Sequence, residues 1–252
     1  MKLLNWIYRE RISIKEIQID DARKELLVFG SYALLYVLIV WFFAVLIRKY
    51  PLPLFGNTNF TTDVWYVVFI KIVFLLIIPI AIYRRFGYPL ASLFNLTKPG
   101  IVSVLVPFAI GLAINFSYVA AIGPLLIPSN LFKILIGMLL PLIAAAIPEE
   151  LFYRVILQTR IEKLGGWCLS IVASSILFSL FHFPSRYLLS AGVEGTAGDL
   201  GSVFLGTLIP TFILGLILGF LWNRYRNIFL LIALHYGIDL LPSVSSMLGV
   251  AK

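Results

Sequence analysis

Two adjacent glutamates and an arginine, Glu149, Glu150 and Arg154, interrupt an otherwise apolar stretch of the chain. The only two histidines, His182 and His235, also stand in apolar segments, and Asp239 follows His235 by four positions. A bilayer core has no water to solvate such groups, so each marks a functional position and predicts a partner nearby. Glu150 and Arg154 are four apart and share one helix face. Pairing there offsets part of the cost of burying both charges. Glu149 is rotated about 100° from Glu150 and can face elsewhere. This divides the pair into one glutamate for structure and one for chemistry. His235 and Asp239, again four apart, present two polar groups to one side.

Two glutamates, two histidines and an aspartate, with no motif-borne serine or cysteine nucleophile, suit the activation of water. A carboxylate in a low-dielectric pocket can take a proton from water, and a histidine can hold the same water. A second histidine and a carboxyl group can donate to an oxyanion. Glu149, His182 and His235 also form the one-carboxylate, two-histidine donor set of catalytic zinc, so Zn2+ is an alternative cofactor, although the helix-borne His-Glu-x-x-His pattern is absent.

The elements that carry these residues are membrane spans. The chain is 61% hydrophobic and 13% charged, with mean hydropathy +1.00, against roughly half apolar and a quarter charged in a soluble domain. This predicts an all-α, polytopic transmembrane helix bundle. Seven spans are expected, at about Leu26–Ile47, Val64–Tyr83, Ile101–Ile122, Leu131–Lys163, Trp167–Phe183, Ser202–Trp222 and Ile228–Leu241. The fourth exceeds the roughly 20 residues a span needs. A break in it at Pro141 or Pro148 would make eight spans. Residues 1–25, of mixed charge, read as a peripheral segment, residues 26–130 as N-terminal membrane helices and residues 131–245 as the membrane core. No cleavable signal peptide is expected.

Net charge is +8. The basic residues cluster at span ends, which points to membrane topology and lipid contact and away from nucleic acid. With a cytoplasmic N-terminus, thirteen basic residues fall inside and four outside, the sense the positive-inside rule requires. The expected location is the plasma membrane. Lys71, within the second span, reads as a side chain that snorkels or pairs locally. The lone Cys168 reads as a small buried hydrophobe. Gly215-x-x-x-Gly219 is a helix-packing signal. At about 1.5 Å per residue, Glu149, His182, His235 and Asp239 fall at comparable depths on three spans and can meet.

At these residues the chain resembles the CPBP family of intramembrane proteases (CAAX proteases and bacteriocin-processing, or Abi, proteins). The family pattern Glu-Glu-x-x-x-Arg is met by Glu149, Glu150 and Arg154; Phe-x-x-x-His by Phe178 and His182; and His-x-x-x-Asn/Asp by His235 and Asp239. The resemblance implies an endopeptidase that uses glutamate- and histidine-activated water, or a metal, on a peptide or a membrane-anchored protein. It implies Glu149 as general base with His182 as its partner, His235 and Asp239 at the oxyanion, and Glu150 and Arg154 in support. Two positions depart from it: Val155 stands where many members have Gly, and Asp239 where the prenyl-protein enzyme has Asn. The competing expectation is a non-enzymatic scaffold or bacteriocin-immunity protein that retains the fold.

Overall fold

The computed structural model describes residues 21–50, 66–94, 100–189, 191–192, 195–196 and 198–250. Most of the expected peripheral segment lies outside the described residues. Helix α1 spans Ala22–Lys49 and starts where Asp21 accepts from the Lys24 N–H. A widely wound stretch, Tyr66–Ile77, runs on into Ile78–Arg85; together they form α2. Then come α3 (Val102–Ile114) and α4 (Tyr118–Ile122). From Pro128 to Leu188 the chain is one helical run. Within it lie α5 (Leu131–Leu140), α6 (Thr159–Leu180) and α7 (His182–Leu188). A two-residue ladder pairs Ala191–Gly192 with Gly195–Thr196. Finally α8 (Leu200–Val203) leads through Phe204–Leu208 to α9 (Ile209–Tyr225), and α10 spans Ile228–Leu248.

The fold is a helical membrane protein, and among the described residues fewer than seven separate helices meet the length and apolarity of a span. Four helices are long and apolar enough to cross a membrane, Ala22–Lys49, Pro128–Leu188, Leu200–Tyr225 and Ile228–Leu248, or five if Val102–Ile114 and Tyr118–Leu125 count as one bent span. Expected spans 4 and 5 are two helices that meet at a kink made by one residue: Gly166 at φ 78°, ψ 174°, a conformation open to glycine. The helix before it does not stop at Pro141 or Pro148. The helix widens instead, over Pro141–Ala146 and again over Glu150–Gln158. Proline lacks an N–H and crowds the preceding turn, and wider winding relieves both. The expected third span bends by 77° at Asn115-Phe116-Ser117, where the Asn115 side chain leaves its own helix and donates to the Ile238 carbonyl at 2.8 Å.

Helix α1 has a buried face of small and aromatic residues and a leucine-rich exposed one. On α1, Phe29, Ala33, Tyr36, Val40 and Ala44 are buried, while Leu27, Leu34, Leu38 and Phe42 are exposed. That pattern belongs to a surface facing lipid, where exposure of leucine costs nothing. Glycine brings backbones into contact. A Cβ on Gly111 of α3 would lie 2.5 Å from the Leu234 carbonyl oxygen of α10, and one on Gly215 of α9 would lie 2.9 Å from Ser175 of α6. The Gly215/Gly219 pair is thus a packing face. Cys168 is exposed rather than buried. It follows the Gly166 break on an outward side with Trp167 and Leu169, both also exposed.

At one level of the bundle, helix ends are tied by buried ion pairs. Arg160 donates to Glu25 at 2.7 Å, the Tyr88 hydroxyl donates to the other Glu25 oxygen at 2.6 Å, and Arg226 donates to both oxygens of Glu162 at 2.7 Å. The Asn227 side chain accepts from Phe229 and Leu230 and opens α10 at this level.

Candidate active site

The polar residues singled out above meet in the interior of the bundle. Glu149 ends the short segment Ile147–Glu149, and Glu150 and Arg154 begin the widened stretch Glu150–Gln158. All three are 0% exposed. Arg154 Nε lies 3.4 Å from Glu150 Oε2, so the expected i, i+4 pair is present. Arg154 also donates to Ser174 Oγ at 3.3 Å and lies 4.9 Å over the Phe178 ring, a cation–π contact. Ser174 in turn donates to Gln158, whose amide reaches the Gly219 carbonyl at 2.8 Å. The arginine is therefore anchored to α6 and, through Gln158, to α9.

His235 on α10 is the hub. Its Nδ1 is 2.8 Å from Glu150 Oε1. An ionised carboxylate only accepts, so Nδ1 carries the hydrogen. Its Nε2 lies 3.3 Å from Asp239 Oδ2 and 3.7 Å from Glu149 Oε2. Glu150 thus serves both Arg154 and His235. Asp239, with a side chain 36% exposed against 4% for His235, is the open edge of the cluster.

His182 sits beside the cluster and outside its hydrogen bonds. It begins α7, and its Nδ1 bonds to the Phe178 carbonyl at 2.8 Å. In the neutral ring this leaves Nε2 as an acceptor. The two histidines share one aromatic shelf: Phe178 meets the His182 ring at 5.1 Å and the His235 ring at 6.1 Å, and Phe181 meets His182 at 3.9 Å. Among the described residues, no ion pair or hydrogen bond joins His182 to Glu149.

One residue of the site was misread in the sequence. Lys71 pairs beyond its own helix. Its Nζ lies 2.5 Å from Glu149 Oε1, with 13% of the side chain exposed. The signal was there, since a lysine in mid-span predicts an intramembrane partner as firmly as a glutamate does. What the chain could not show was that α2 packs beside Ile147–Glu149.

The zinc alternative calls on Glu149, His182 and His235. Among the described residues no group of three His, Cys, Asp or Glu side chains is placed to hold a metal ion. The cation that meets Glu149 is the Lys71 ammonium, and each histidine bonds a protein acceptor through Nδ1, an arrangement that metal-ligating histidines also use.

Residues 129–241 match a family model described as Rce1-like, type II CAAX prenyl endopeptidase Rce1-like. The matched segment holds Glu149, Glu150, Arg154, Phe178, His182, His235 and Asp239; Lys71 lies outside it. No curated protein and no solved structure gives a match.

Proposed function

We propose, from the match of residues 129–241 to the type II CAAX prenyl endopeptidase Rce1-like family model, that this protein is an intramembrane endopeptidase in which Glu149 activates the hydrolytic water. The observation that carries the reading is the division of Glu149. Its Oε1 is held by Lys71, while Oε2 is buried, has no hydrogen-bond partner among the described residues and faces His235 Nε2 at 3.7 Å. A carboxylate oxygen so placed is a general base beside a donor. Glu149 takes a proton from water and the resulting hydroxide adds to the scissile carbonyl. The protonated Glu149 then returns that proton to the leaving amine as the C–N bond breaks. His235 Nε2 is the donor nearest the developing oxyanion. His182, through Nε2, holds the water from the aromatic side. Asp239 accepts from His235 and orients it, because an ionised carboxylate cannot donate to an oxyanion. No step runs through a metal.

The substrate is a peptide or membrane-anchored protein segment that reaches the cluster past Asp239. The N-terminus is cytoplasmic in this proposal, on the distribution of basic residues, and the membrane is the plasma membrane. The test is purified protein in nanodiscs with a peptide library. Wild type cleaves, Glu149→Ala does not, and dialysis against a chelator leaves cleavage intact. Equal cleavage by wild type and Glu149→Ala removes the assignment. Loss of cleavage on chelation, restored by zinc, removes the metal-free form of it.

A further inference from the structure

The half of the chain outside the family match supplies a charge to the site. Glu149, Glu150 and Asp239 all lie within 3.7 Å of the His235 ring nitrogens. Two of these carboxylates are in ion pairs with fixed cations. Arg154 pairs with Glu150, and Lys71 with Glu149. Among the described residues Lys71 is the only lysine or arginine in an ion pair with Glu149.

The lysine is held in place. The Tyr32 hydroxyl of α1 donates to the Phe74 carbonyl, one turn along α2 from Lys71. The Phe74 ring packs on Phe43 of α1 at 5.6 Å. The ammonium lies 5.7 Å over the Phe181 ring, and Phe181 is the ring in closest contact with His182. Lys71 therefore bridges Glu149 and the aromatic shelf under both histidines. A flexible lysine clamped at both ends in a low-dielectric interior fixes whatever it touches.

We infer that Lys71 is a positioning residue of the active site: by holding Glu149 Oε1 it fixes the carboxylate so that Oε2 is presented to water beside His235. The inference rests on the reading of Glu149 as the base. It also gives the N-terminal helices a catalytic task, because α1 and α2 deliver the one site cation that lies outside residues 129–241.

The test is steady-state cleavage in nanodiscs by wild type, Lys71→Met, Lys71→Gln, Lys71→Arg and Glu149→Gln, with unfolding temperatures measured on each. Lys133→Met, which removes an exposed lysine on α5, is the control and keeps wild-type kinetics. Misplacing the base predicts a kcat loss on the order of 100-fold in the Met and Gln variants with KM little changed. Lys71→Arg keeps the charge and stays within about tenfold of wild type. In a Glu149→Gln background, Lys71→Gln adds no further loss, since the group it positions is gone. Wild-type kcat in Lys71→Met or Lys71→Gln overturns the inference, as does a loss confined to KM. Should Lys71→Met fail to fold, Gln against Arg decides, and equal kcat in those two overturns it. An active Glu149→Gln instead removes the proposed function, whereas an inactive one beside a fully active Lys71→Gln removes only the role of Lys71.

Discussion

Two clusters of buried charge can be compared within this one molecule. At the helix ends, Glu25 and Glu162 have all four carboxylate oxygens hydrogen-bonded, to Tyr88, Arg160 and Arg226, at 2.6–2.7 Å. In the centre, Glu149 has one oxygen on Lys71 and one without a hydrogen-bond partner, and Arg154 reaches Glu150 only at 3.4 Å. The glutamates of both clusters are buried, so burial does not distinguish them. Satisfaction of their oxygens does. A carboxylate with both oxygens hydrogen-bonded has its desolvation penalty largely offset, whereas one with a bare oxygen bears that penalty without return. The first kind holds helices together and the second is equipped for chemistry.

That contrast is broken or sharpened by mutation, and the largest effect is expected at Glu149. Glu149→Gln keeps the shape and removes the base, so cleavage falls about 10³-fold or more. The unfolding temperature of the same protein stays near wild type, because Lys71 can still donate to the amide oxygen. A Glu149→Gln protein that unfolds as easily as an end-cluster mutant would erase the distinction between the clusters.

The converse belongs to Arg160. Its guanidinium bonds to Glu25 and the Ile156 carbonyl and lies 5.0 Å over the Phe29 ring. Arg160→Met leaves Glu25 buried without its countercharge, which costs about 3–5 kcal/mol of stability. Protein that survives purification should cleave with wild-type kcat. Denaturation in mild detergent and single-turnover cleavage read the two quantities separately.

Glu150 stands between these extremes, since it serves Arg154 and His235 at once. Glu150→Gln weakens the arginine pair and frees His235 Nδ1 from its carboxylate. Cleavage should drop about 100-fold and stability by about 1–3 kcal/mol. Loss of only one of the two would assign Glu150 wholly to structure or wholly to chemistry.

How much of this was legible in the chain depends on how far apart the partners stand. Glu150 with Arg154 and His235 with Asp239 are four apart, and helical periodicity alone puts each pair on one face. Lys71 with Glu149 and His235 with Glu150 are separated by 78 and 85 positions, and no local rule reaches that far. Composition and span length indicated a helical membrane protein, and the Gly215/Gly219 spacing indicated a packing face. The break at Gly166 falls between expected spans 4 and 5, whereas the bend at Asn115 falls inside the expected third span. Lys71 was discounted because a lone lysine in a span has a cheap local explanation, snorkelling, which only the packing of α2 against Glu149 removes.

The smallest expected effect is at the open edge. Asp239 is the most exposed member of the cluster and touches the others only through His235 Nε2, at 3.3 Å. As a carboxylate it accepts from that nitrogen and competes with an oxyanion for the same hydrogen. Asn in its place still accepts through its carbonyl and adds two N–H donors, which can meet the oxyanion directly. Asp239→Asn should therefore change kcat by no more than about tenfold, leave stability unchanged and, because the added donors act only on developing charge, alter KM least of all. A loss as large as that of Glu149→Gln would make Asp239 a second essential carboxylate. The boundary between satisfied and reactive charge would then run outside His235 and enclose Asp239, whereas the hydrogen bonds around Glu149 place it inside.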